Sequence, residues 1–123
     1  MIKARRMPPR LLERTPKCLP RDHVRRRKPE INRDACERAA AIFRALGDTS
    51  RLQMLAMLAD GDLCVTEIAE RLGDNLSAVS QRLRLLRSER LVKQRRNGKH
   101  IFYSFADGHV AEMIANALAH ANE

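Results

Sequence analysis

The sequence predicts a mainly helical domain closed by one β-hairpin, in the order α-α-α-α-β-β-α, and three observations carry that expectation. Apolar residues recur at three- and four-residue spacing between glycine stops. Asn97-Gly98 separates two short strand-like runs. Aromatic residues are scarce, three Phe, one Tyr and no Trp, which suits an aliphatic helical core and argues against a large β-sandwich. With 123 residues the chain has room for one domain.

Ala35, Ala39, Ile42 and Leu46 recur at 4-3-4 spacing and end at Gly47, so the first helix closes on a glycine stop. Cys36 stands one residue off this row and reads as structural. Asp48 can cap a second helix, whose Leu52, Leu55 and Leu58 precede Gly61. Residues 65–72 make a short third helix, and Gly73-Asp74-Asn75 turns into a fourth that runs to about Arg90. Leu91 to Arg96 and Lys99 to Phe105 flank Asn97-Gly98, where a type I′ turn needs positive φ at both positions. Asp107 caps a last helix that continues to the end of the sequence.

Punctuation and charge divide the chain. All five prolines fall in the first 29 residues and all five glycines after residue 46. Residues 1–33 hold 12 Lys/Arg against three acids, with little to bury, and are expected to form a disordered basic arm. Residues 34–123, the expected folded domain, balance at 12 against 12, so the formal charge of +9 resides in the arm. Within the domain, however, Arg82, Arg84, Arg87, Arg90, Lys93, Arg95, Arg96 and Lys99 face only Glu89, which makes one flank strongly basic. The longest wholly apolar run, Met54 to Ala59, is six residues against the ~20 that span a bilayer. No apolar segment follows the basic start in the manner of a signal peptide. A cytoplasmic protein with no membrane partner is expected. Three widely spaced cysteines, an odd number, argue for reduced thiols rather than a disulfide framework.

The fourth helix has two faces. At ~100° per residue, Leu76, Val79, Leu83 and Leu86 share one arc, while Ser77, Ser80, Gln81, Arg84 and Ser88 occupy the other. A helix that enters the DNA major groove needs small hydroxyls, amides and Arg to meet base edges without bulk, and a preceding short helix and glycine turn to set its angle. An ordinary solvated face would show the same amphipathicity. The following hairpin, with Arg95, Arg96 and Lys99 around its tip, favours the DNA reading, as a wing gripping backbone phosphates. The pattern is that of a winged helix-turn-helix.

The last helix carries Asp107, His109, His120 and Glu123. Eleven residues separate the histidines, so they share a face but stand about 16.5 Å apart along the axis. One helix cannot chelate an ion with both, because each ligand must lie ~2.0 to 2.2 Å from it. An antiparallel second copy would join Asp107 and His109 of one chain to His120 and Glu123 of the other, giving two equivalent sites per dimer. Read alone, these residues also suit a polar surface, with Asp107 as an N-cap and His120 beside a helix C-terminus. Val110, Ile114, Ala117, Leu118 and Ala121 run beside them and offer core or dimer contacts.

The runs Asp62-Leu63-Cys64-Val65-Thr66-Glu67-Ile68-Ala69, Leu76-Ser77-Ala78-Val79-Ser80-Gln81-Arg82-Leu83 and Gly98-Lys99-His100-Ile101-Phe102-Tyr103-Ser104 resemble the ArsR/SmtB family of bacterial metal-responsive repressors. The resemblance covers residues 34–123. It implies a homodimer whose metal-free form occupies operator DNA and whose metal-bound form releases it. The last helix resembles that of the zinc-sensing members, in which D-x-H-x10-H-x2-E/H supplies the intersubunit site; the pattern falls on Asp107, His109, His120 and Glu123. Two imidazoles and two carboxylates favour Zn²⁺, with Co²⁺ or Ni²⁺ as alternatives. The family also implies a second site, between the third helix and the N-terminal arm of the other subunit, that uses Cys64 and Glu67 with arm residues, here Cys18 and His23, with Asp22 as a substitute; only that site would suit Cd²⁺ or Pb²⁺. Relatives often carry Ser-His-Gln where this chain has Ser80-Gln81-Arg82, so operator bases do not transfer.

Two rival readings stand beside metal sensing: a regulator answering thiol oxidation at Cys64 and Cys18, and a nonspecific nucleic-acid-binding protein. RNA binding by a sheet wants stacking aromatics, which are few here. A zinc hydrolase needs an open coordination position, and four protein ligands leave none, so no enzyme is expected.

Overall fold

A computed structural model describes residues 17–22, 24 and 30–123. The chain divides into two units, Met1–Ile31 and Asn32–Glu123. In the first, the described residues hold one 3₁₀ turn, Pro20–Asp22, where the Asp22 carboxylate accepts the Leu19 N–H at 2.8 Å. Cys18 is exposed. His23 and most of the expected basic arm lie outside the described residues.

The second unit runs α1 (Arg33–Leu46), α2 (Thr49–Met57), a 3₁₀ turn (Leu58–Asp60), β1 (Leu63–Cys64), α3 (Val65–Leu72), α4 (Leu76–Ser88), β2 (Val92–Asn97), β3 (His100–Phe105) and α5 (Gly108–Ala121). Four of the helices open on a side-chain cap: Asn32, Asp48, Asn75 and Asp107 each accept the N–H three residues on, satisfying a donor the helix itself leaves unpaired. The cap at Asn32 starts α1 ahead of its apolar row. Arg51 then ties α2 to the end of α1 by donating to the Ala45 and Arg44 carbonyls at 2.6 and 3.3 Å. Met54 and Leu55 of α2, Ile68 of α3, Val79, Leu83 and Leu86 of α4, Leu91 just before β2, and Ile114 of α5 are fully buried together. Each such side chain contributes about 1.5–3 kcal/mol through removal from water.

Five local expectations need correction. Leu76 does not pack with Val79, Leu83 and Leu86; it is 49% exposed, because it opens α4 one turn short of the core. Cys36 is exposed rather than structural, since α1 buries only its last turn, Ala45 and Leu46. Leu58 leaves α2 for the 3₁₀ turn yet stays buried. The reading helix stops at Ser88 rather than Arg90. Arg90 takes φ +59, its N–H meets the Arg87 carbonyl and that of Leu91 meets Leu86, a left-handed helix terminus usually given to glycine.

The fifth correction sets the wing. Asn97 pairs with His100, so Gly98-Lys99 rather than Asn97-Gly98 fills the turn. Gly98 has φ +61 and Lys99 does not share the positive value, which suits glycine at the first of two central positions. The register is fixed at the other end, where buried Val92 faces Phe105; a slip by one residue would turn the slipped strand's side chains over. A third strand completes the sheet, in the order β1-β3-β2, with Leu63 opposite Tyr103 and Cys64 opposite Phe102. Two residues are too few for strand periodicity to announce.

Candidate functional site

The α3–α4 pair is held by its turn. Gly73 adopts φ +65 and closes α3, Asn75 accepts the Ala78 N–H at 2.7 Å, and Asp74 is ion-paired with Arg82 in the second turn of α4. That hydrogen bond, helped by the Asn75 N–H, holds the Asp74 carboxyl below the usual carboxylate range. Arg82 is thereby committed to the turn. Ser77, Ser80, Gln81 and Arg84 are exposed on the side of α4 away from Val79, Leu83 and Leu86, as the periodicity requires.

The wing is joined to α4 as well as to its own strands. With its amide nitrogen toward the Tyr103 hydroxyl at 3.1 Å, Gln94 accepts from the Arg87 guanidinium at 2.8 and 3.3 Å. Arg96 and Lys99 are exposed near the tip. Arg95 is exposed too, but its guanidinium carbon lies 5.1 Å from the Phe102 ring centroid and its Nη2 3.5 Å from Asp62 Oδ2.

The candidate metal ligands form two pairs at opposite ends of α5. At the start, Asp107 Oδ1 accepts the Val110 N–H at 3.1 Å and lies 3.7 Å from His109 Nδ1. At the end, His120 Nδ1 lies 3.4 Å from Glu123 Oε2. All four side chains are exposed, and among the described residues of one chain no three candidate ligands come together. The capping role of Asp107 is therefore real, and a carboxylate has lone pairs left beyond the cap.

Of the second set, Cys64 and Glu67 are joined through α3: Glu67 Oε1 accepts the Cys64 N–H at 3.2 Å, a helix-capping contact. Cys64 is buried. Its sulfur accepts from Thr66 Oγ1 at 3.4 Å and lies 3.8 Å from His100 Nδ1. Bonds from the Thr66 side chain and N–H, opposed by desolvation and assisted by His100 and the Ile101 N–H, lower this thiol from 9.0 to about 7. His100 was not singled out from the sequence, because only the β1–β3 pairing brings it to Cys64.

A glycine turn between two capped helices, a polar exposed face on the second and a basic two-stranded wing behind it define a winged helix-turn-helix DNA-binding protein. The family model described as "Bacterial regulatory protein, arsR family" matches residues 48–94, from the cap of α2 into β2. The chain is 42% identical to the transcriptional repressor SmtB homolog of a Synechocystis species, over 83% of this chain and 78% of that one. It is 32% identical to a Staphylococcus aureus cadmium resistance regulatory protein, a CadC homolog, over 83% and 85%. Among solved structures, the homodimeric winged helix-turn-helix domain Mb0332 of Mycobacterium bovis, a possible ArsR-family regulator, superposes with a TM-score of 0.70 at 34% identity, covering 79% of this chain and 92% of that one. This chain belongs to the ArsR family. It is a DNA-binding transcriptional regulator and not an enzyme. No helix among the described residues is long and apolar enough to cross a membrane.

Proposed function

We propose that this protein is a cytoplasmic, homodimeric, metal-responsive transcriptional repressor that binds operator DNA through α4 and the wing and releases it when Zn²⁺ binds. The observation that carries the reading is the split of Asp107–His109 and His120–Glu123 between the two ends of one helix. Each pair is half a ligand set, and the donor chemistry fits zinc, with Co²⁺ or Ni²⁺ next. Residues 34–123 supply DNA binding and dimerisation, and residues 1–33 form a basic arm. Exposed apolar side chains on the outer helices, Phe43 of α1 at 63% and Leu118 of α5 at 37%, give a second copy something to cover. An antiparallel α5 from that copy brings Asp107 and His109 to the partner's equivalents of the distal pair. Bound zinc supplies a fixed link between the two helices. His109 and His120 must be neutral to ligate, Asp107 keeps its cap while doing so, and α5 holds the geometry through Val110 and Ile114, which are buried beneath its first turns. DNA and metal then select different dimer geometries, with coupling of about 1–3 kcal/mol, and each weakens the other by the same factor.

On the DNA side, Ser77, Ser80, Gln81 and Arg84 read base edges, whereas Arg96, Lys99 and, once released, Arg95 meet phosphates. A zinc titration of the fluorescent operator complex, followed by anisotropy, is expected to show release for the wild type and none for His109→Ala or His120→Ala, both still binding DNA. Equal zinc response in all three proteins overturns the proposal.

A second reading rests on Cys64, whose lowered thiol and contacts to Thr66 and His100 suit oxidation or a soft ion such as Cd²⁺ or Pb²⁺. In the metal version of that site, the arm of a second copy would supply the Cys18 and His23 ligands. In the same titration, release that survives His120→Ala and disappears in Cys64→Ser favours this reading.

A further inference from the structure

One face of the wing sheet carries a contact that crosses a whole strand. Asp62 precedes β1, Arg95 lies on β2, and β3 runs between them. In the register Arg95 stands opposite Phe102, and Phe102 opposite Cys64. The Arg95 guanidinium reaches over the Phe102 ring, 5.1 Å from its centroid, to Asp62 Oδ2 at 3.5 Å. Its direction matters. The wing tip is Gly98-Lys99, whereas Asp62 comes just before the Leu63–Tyr103 pair, on the side of Phe102 away from the tip. Arg95 is thus folded back toward the root of the wing.

We propose that Asp62 is a positioning residue that keeps Arg95 in reserve: it holds the guanidinium down on Phe102, withheld from the phosphates that Arg96 and Lys99 meet. This rests on the wing gripping phosphates. Both holds are exposed and individually weak, so they lower the share of complexes in which Arg95 reaches a phosphate rather than abolish it; together they amount to a factor of about 2 to 20 in availability. Arg95, Lys93, Asp62 and Asp107 line one groove, so the carboxylate at the head of α5 shares the surroundings of this pair.

The test is the salt dependence of operator binding in zinc-free buffer. Asp62→Asn is expected to tighten binding about three- to ten-fold and to steepen the slope of log K against log salt by about 0.9 for each Arg95 recruited. Asp62→Glu restores the pair and the wild-type slope. In an Arg95→Ala background, Asp62→Asn gains nothing, which separates release of Arg95 from simple loss of a repelling charge. Unchanged or weaker binding by Asp62→Asn, or a gain that persists without Arg95, overturns the proposal. Arg96→Ala and Lys99→Ala serve as controls. If they flatten the slope while Asp62→Asn does nothing, the reserve fails and the wing reading stands; if none of these variants moves the slope, both fall.

Discussion

α4 and α5 are helices of 13 and 14 residues that read alike as amphipathic segments, yet one is complete within a single chain and the other is not. α4 buries Val79, Leu83 and Leu86 against its own domain and is fixed at its start by Asn75 and Arg82, at its end by the turn at Arg90. Its exposed face needs no partner to be formed. α5 buries only Val110 and Ile114 and leaves its last two turns, with His120, and Glu123 just past its end, outside the core. A reading surface can be built by one copy because its ligand spans it; a chelate of four side chains on one straight helix cannot, because the ion is small and the helix is long.

Substitutions that strike the two helices should therefore fail in different ways. The largest effect is expected in the core of α4: Leu83→Ala costs about 2–5 kcal/mol of unfolding free energy, measured by urea titration, and takes DNA binding with it. His120→Ala in α5 is expected to stay within about 0.5 kcal/mol of the wild type in the same titration while losing the zinc response. A large stability loss from His120→Ala would mean that α5 is already finished within one chain. Smaller than the core effect is that of the α4 cap, where Asn75→Ala costs about 1 kcal/mol because the Ala78 N–H loses its acceptor.

The smallest effect concerns the second candidate site. Because the Cys64 thiol lies at about 7 in the folded protein against 9.0 ordinarily, its alkylation rate is expected to rise through a midpoint near pH 7. Thr66→Ala, which removes the largest cause, moves that midpoint upward. The sign for stability follows: the folded state favours the thiolate, so the contribution is fully present above pH 9.0 and fades as pH falls through about 7. A midpoint unmoved by Thr66→Ala would detach the reactivity of Cys64 from the α3 terminus.

Much of this was legible in the chain itself. Periodicity and glycine stops located five helices, since apolar residues must share a face and a helix must end where its carbonyls find other partners. Asp48 and Asp107 announced two caps, and residues 65–72 coincide with α3. The reading face of α4 followed from the same angle that buries Leu83. Even the impossibility of one α5 holding one ion is arithmetic on residue number. What periodicity lacks is any account of how far the core extends, so Leu76 and Cys36 were assigned contacts that the ends of α4 and α1 never make.

The sequence alone determined the local terms: helix spans, caps, charge placement and the donor types at residues 107, 109, 120 and 123. Only the tertiary structure decided which distant groups meet. The wing register depended on Val92 finding Phe105 across the hairpin, and β1 exists because β3 offers it an edge. Cys64 beside His100, Arg95 over Phe102 toward Asp62, and Arg87 on Gln94 all follow from that sheet. The physical reason is range. Hydrogen bonds within a helix couple residues four apart, whereas strand pairing and core packing join residues whose separation along the chain carries no repeating signal.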